Sequence, residues 1–130
     1  MGINIAVSPG ELIDKLTILS VKMAYVSDAD RRLKVTREYA LLKQSWDDSI
    51  YAQRTEAGID ALWSDLHDVN RRLWHLENSA RESDVRKNTE LLAGIARCIS
   101  AENDLRFRLK NTINILLDSD LQEVKQHGNP

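Results

Sequence analysis

Between Pro9 and Pro130 the chain contains no proline, and it holds only five glycines along its whole length. Proline inside a helix removes a backbone hydrogen bond and clashes with the preceding turn, so its absence favours long helices. The apolar residues follow that permission. Ser8 stands as the N-cap of a first helix, with Pro9 at the first helical position and Glu11 three residues on completing a capping box. Leu12, Leu16, Leu19, Met23 and Val26 then recur at spacings of four and three, marking one helical face. Ser27 and Asp30 read as a second cap, followed by Val35, Tyr39, Leu42 and Trp46 in a helix ending near residue 52. The TEAG stretch at 55–58 offers a third start, after which Ile59, Leu66, Leu73 and Ala80 repeat every seven residues. ARESD loses the apolar period, and a fourth helix from near Val85 carries Leu92, Ile95, Ile99, Leu109, Ile113 and Leu116.

Four amphipathic segments with short joints predict an all-α fold, an antiparallel up-down-up-down bundle of about four helices. INIAV at 3–7 reads as a short extended arm, and the residues after Leu117 as a polar C-terminal tail. With 130 residues and 14.8 kDa, the chain suffices for one modest core, so residues 1–130 are expected to form a single helical-bundle domain. Hydrophobic residues at 42% and charged residues at 29% exclude a disordered chain.

The charge pattern excludes several function classes. Net charge is −2 with both signs interspersed, which lacks the basic face of a nucleic-acid binder. No stretch approaches the roughly 18 apolar residues of a membrane span, and no basic segment precedes an apolar run as in a signal peptide. Cys98 is the sole cysteine, which excludes an intrachain disulfide and fits a reducing compartment; a cytoplasmic location is expected.

Polar residues interrupt the rows that should face the core. On the third helix Trp63, Asn70 and Glu77 share one row, and on the fourth Arg106 falls among Leu92, Ile99 and Ile113. Glu102 breaks the row of Ile95, Leu109 and Leu116, while Asn103 and Lys110 occupy a third row. On the first helix Glu11, Lys15 and Lys22 form a narrow strip flanked by apolar residues, with Asp14 beside them. Desolvating an unpaired charge costs several kcal/mol, so such groups need partners. In an up-down bundle the middles of the first, third and fourth helices share a height, and the polar residues are expected to converge there on a pocket. Arg81, one turn beyond Glu77, joins the candidate cations Lys15, Lys22, Arg106 and Lys110; the candidate anions are Glu11, Asp14, Glu77 and Glu102. The opposing reading is a structural salt-bridge network, which nearly balanced charges also suit.

Other features carry less. His67 and His75 are eight residues apart with no HExxH or Cys–His spacing, so no metal is expected. Cys98 shares a row with Leu91 and Leu105 and reads as a small buried hydrophobe. Trp46 and Trp63 read as core, whereas Trp74, in a row with Asp60, His67 and Arg81, is placed to cover the pocket or sit at a subunit contact. No nucleotide-loop or catalytic-triad pattern occurs, and neither a cofactor nor a catalytic residue is assigned.

SPGELIDKLTIL at 8–19, VNRRLW at 69–74 with Glu77, and Asn103, Asp104, Arg106, Lys110, Ile113 and Asn114 together resemble a family of small bacterial proteins, a domain of unknown function. The tail is similar too, in Ser119, Leu121, Glu123 and Lys125. The second helix matches poorly, SVKMAYVSD stands where a more charged helix end is expected, and Asp118 stands where glycine is expected before Ser119. The resemblance implies a small all-helical domain and no established activity, and it singles out the same misplaced polar residues.

The leading expectation is therefore a binding domain rather than an enzyme. Lys15, Lys22, Arg106 and Lys110 would contact a small anionic ligand of the nucleotide or phosphorylated-sugar class, Asn70 and Asn103 would fix its orientation, and Glu77 and Glu102 would orient the cations or accept from a ligand hydroxyl; Asn114 counts among the candidate binding residues. One alternative is a homo-oligomeric interaction module, expected as a homodimer, whose buried ions are structural. Another is an enzyme using Glu77 or Glu102 as general acid or base.

Overall fold

The computed structural model describes residues 2–54 and 58–121, the Ser83 side chain excepted. Among these residues five helices follow in order: α1 Pro9–Tyr25, α2 Ala29–Asp47, α3 Ile59–Arg81, α4 Ser83–Arg86 and α5 Thr89–Leu116. Four of them are long, no strand occurs among the described residues, and the fold is an all-α bundle as expected. Residues 2–8 form no regular element, and Ile3 and Ile5 are exposed.

The helix boundaries follow the caps. Ser8 Oγ accepts the Glu11 amide at 3.1 Å, as its position before Pro9 requires. α2 is capped by Asp28, not by Ser27 or Asp30: its carboxylate accepts the amides of Asp30 and Arg31 at 2.8 and 3.2 Å. This helix ends at Asp47, short of residue 52. Gly58, at φ 101°, leads into α3; positions 55–57 of the TEAG start lie outside the described residues. ARESD does end α3, but the chain then makes the single turn α4 before the last long helix. That helix begins at Thr89, later than Val85, because Asn88 caps it through the Leu91 amide at 3.0 Å.

Cross-helix pairs give the topology. Gly10 meets Asn114 and Asp14 meets Arg106, while Arg72 meets Glu102, so α5 runs antiparallel to both α1 and α3. α1 packs against α2, α3 and α5 together. A helix with three neighbours cannot keep one apolar stripe and one wet face. Ile13, Asp14, Leu16 and Thr17, which point in several directions, are all at most 1% exposed.

Apolar side chains are buried along the bundle, Leu19, Val21, Val69 and Leu73 among them, and one cluster gathers towards the end where α1 begins and α5 finishes. Ile13 and Leu16 of α1, Trp46 of α2, Ile59 and Leu66 of α3, and Ile113 and Leu117 at the end of α5 form one buried cluster. Trp63 packs edge-on against Trp46 at 5.3 Å between ring centroids. Trp46 is the one buried residue α2 supplies.

At that end α1 and α5 touch backbone to backbone. The Gly10 amide donates to Asn114 Oδ1 at 2.7 Å, and a Cβ at Gly10 would lie 2.4 Å from the Lys110 carbonyl oxygen. α5 closes in a Schellman motif: the Asp118 amide bonds to the Ile115 carbonyl, and the Ser119 amide to Asn114 at 2.9 Å. Asp118 occupies the left-handed position of that motif at φ 54°, where the sequence comparison expects glycine. Beyond Leu121, Glu123, Lys125 and the rest of the polar tail lie outside the described residues. Among the described residues, no helix is long and apolar enough to cross a membrane.

Candidate functional site

The polar residues gather where the apolar cluster stops. Asp14, midway along α1, is fully buried, and its carboxylate is held from two sides. Arg106 of α5 grips it with a two-point fork, Nε to Oδ1 at 2.9 Å and Nη2 to Oδ2 at 2.5 Å. Asn70 of α3 donates to Asp14 Oδ1 at 2.9 Å and to Thr17 Oγ1 at 2.8 Å, and Thr17 in turn donates to the Asp14 carbonyl. One turn earlier, Lys110 bonds to Glu11 at 2.5 Å and lies 3.7 Å from Asp14. Three helices are thus tied through one aspartate. A buried charge with this many donors is tolerated; one without them is not.

Arg106 also faces outwards. Its side chain is 30% exposed, and it forms the inner wall of a cleft of about 340 Å³ between α1, α3 and α5. α1 contributes Ile18, Val21 and Lys22 to this cleft. α3 contributes Asn70, Leu73, Trp74, Glu77, Asn78 and Arg81. Because Nε and Nη2 are engaged with Asp14, the Nη1 edge of Arg106 makes no hydrogen bond among the described residues. The hydrogen bonds Arg106 donates to Asp14, then the charges of Asp14, Glu11 and Glu77, raise the Arg106 pKa against the opposing effect of burial. The guanidinium is therefore a fixed, permanently charged donor.

Around the rim the ions are loosely paired. Among the described residues Lys22 and Glu77 make no ion pair, and Arg81 bonds only to Asn78, at 3.2 Å. Trp74 forms a side wall with Tyr25 stacked against it, 6.5 Å between centroids at 23°, and His75 meets Tyr25 edge-on at 4.7 Å. The arrangement offers one anchored cation, two further cations, a carboxylate, two amides and an aromatic surface. It has the parts to bind an anion. Glu102 lies in another groove, with Arg72 Nε 2.9 Å from its Oε1, and does not share the cleft with Glu77.

A family model described as a family of unknown function, DUF6165, matches residues 3–130. The chain belongs to the DUF6165 family. No curated protein and no solved structure matches it, so the reading of this DUF6165 domain rests on its own geometry.

Of the residues singled out from the sequence, Lys22, Asn70, Trp74, Glu77, Arg81 and Arg106 line the cleft. Glu11, Asp14 and Lys110 form the ionic cluster behind it. Asn114 is fully buried and pins α5 to Gly10; its Nδ2 has no partner among the described residues. Lys15 and Asn103 are exposed and join neither group. Glu102 turns to Arg72, whose pKa is raised by that bond. Cys98 is exposed rather than buried: it opens onto a shallow groove beside Arg72, His75, Leu76 and Ser79 of α3, which leave it uncovered. His67 and His75 diverge, the first to Ser20 at 3.4 Å and the second to Tyr25.

Thr17 and Asn78 were not singled out. Thr17 lies one turn after Asp14 and Asn78 follows Glu77, but a small polar residue at a helical position gives no periodic signal. Only the three-helix geometry makes them neighbours of the site.

Proposed function

We propose that this domain binds a small anionic molecule in the cleft between α1, α3 and α5. The observation that carries the proposal is the anchored Arg106, gripped by buried Asp14 through two nitrogens while its part-exposed side chain lines the cleft. A guanidinium held in this way loses little freedom on meeting a phosphate or carboxylate, and charge-assisted bonds to it are strong. Lys22 and Arg81 at the rim add charge that no carboxylate neutralises through an ion pair among the described residues. A cleft between bundle helices is a common ligand position.

Native mass spectrometry of gently purified protein, repeated after denaturation, tests this reading. A co-purified anionic mass that disappears on denaturation supports it. Addition of inorganic phosphate or pyrophosphate should also raise the melting temperature by mass action. Lys22→Ala with Arg81→Ala should abolish that rise while leaving the unliganded melt in place, since both changes lie at the rim. No retained mass and no thermal shift with either anion would overturn the proposal.

The same spectrum counts chains. A homodimer reading draws on the exposed α2 residues Leu33 and Leu41, 49% and 67% accessible. A dimer with an empty cleft would favour that reading.

A further inference from the structure

We infer that the anion is a nucleoside monophosphate, its base against Trp74 and its phosphate on Arg106, Lys22 and Arg81. This rests on the anion-binding reading above and narrows it from charge to chemical class. The cleft lining mixes two kinds of side chain. Ile18, Val21, Leu73 and Trp74 give it apolar surface, and the three cations line it with Asn70 and Asn78. A phosphorylated sugar alone would set hydroxyls against aliphatic side chains that offer no hydrogen bond, losing their hydration without return. A planar base with a charged group on a short arm suits both kinds of surface.

The indole is braced for stacking. Tyr25 lies against it at 6.5 Å and 23°, and His75 meets Tyr25 edge-on, so the wall is held before any ligand arrives. Base–aromatic stacking tolerates any base, so the pocket specifies the class and not the base. Glu77, exposed at the rim and without an ion pair among the described residues, is placed to accept from a ribose hydroxyl. Charge favours a single phosphate. Against Lys22, Arg81 and Arg106 stand Asp14 and Glu77, three cations to two carboxylates, and that surplus of one positive charge suits one phosphate better than a chain of them.

Isothermal titration of the full chain with AMP, GMP, CMP and UMP, and with ribose 5-phosphate, inorganic phosphate and adenosine, tests the inference. At least one nucleoside monophosphate should bind tenfold or more tightly than ribose 5-phosphate. Trp74→Ala should reduce it to the ribose 5-phosphate level, and Trp74→Phe should restore most of the difference. Thermal melts of both variants separate lost stacking from lost folding. Equal affinity for ribose 5-phosphate and the nucleotides overturns the inference and leaves the anion reading standing. Adenosine binding as tightly as AMP, or no phosphate binding at all, overturns both.

Discussion

Replacing Arg106 with Met would separate the structural from the binding role of the central ion pair. Asp14 is fully buried and accepts three side-chain hydrogen bonds, two of them from Arg106. Removing one partner of a buried pair typically costs about 3–5 kcal/mol, because a desolvated charge is left behind. The remaining Asn70 bond and the nearby Lys110, 3.7 Å from Asp14, hold the cost to the lower part of that range. Arg106→Met should therefore lose about 3 kcal/mol, a large share of the about 5–15 kcal/mol that stabilises a typical domain. The double variant Asp14→Leu with Arg106→Met removes both charges, and Asn70 keeps its bond to Thr17. It should fall within about 1 kcal/mol of the original protein. Urea unfolding followed by tryptophan fluorescence and circular dichroism gives both values, with unchanged slopes required for the comparison. A single variant that costs less than about 1 kcal/mol, or a double variant as unstable as the single, would refute the claim that Asp14 depends on Arg106. The double variant, if stable, should also fail to bind phosphate, which makes stability and binding independent readouts.

Two further changes test the packing. Gly10→Ala would ordinarily stabilise a helix by about 1 kcal/mol, but here its Cβ meets the Lys110 carbonyl at 2.4 Å, so thermal melting should show a net loss of about 1–3 kcal/mol. Asp118→Gly should raise stability by about 0.5–1 kcal/mol in the same assay, because it relieves a left-handed aspartate in the cap of α5.

The fold was readable where a local signal sets an element. Ser8 with Pro9 announced α1 ahead of its first core side chain, Ile13, and the seven-residue repeat from Ile59 announced α3. Competing capping residues blurred the start of α2, since Ser27, Asp28 and Asp30 all suit a cap and only Asp28 reaches two amides. The single turn of α4 was hidden because four residues carry no period. For the site, interrupted rows flagged Asn70 and Arg106 correctly as groups needing partners, and the structure brings them to one carboxylate. Rows could not tell which side of α5 an interruption faces. Glu102 and Arg106 are one turn apart, yet one meets Arg72 and the other Asp14, because α5 lies between α1 and α3 and shows a different edge to each.

α2 contributes a single buried tryptophan to the core and no residue to the cleft. Its backbone amides should then exchange with solvent deuterons in a gradient, fastest beyond Asp30 and slowest near Trp46, through openings that leave α1, α3 and α5 intact. Selection acting on the cleft would pass this helix by. Over evolutionary time α2 is free to change along its exposed face so long as Tyr39, Leu42 and Trp46 keep an apolar edge on the core, and it is the natural place for lineages of this domain to diverge.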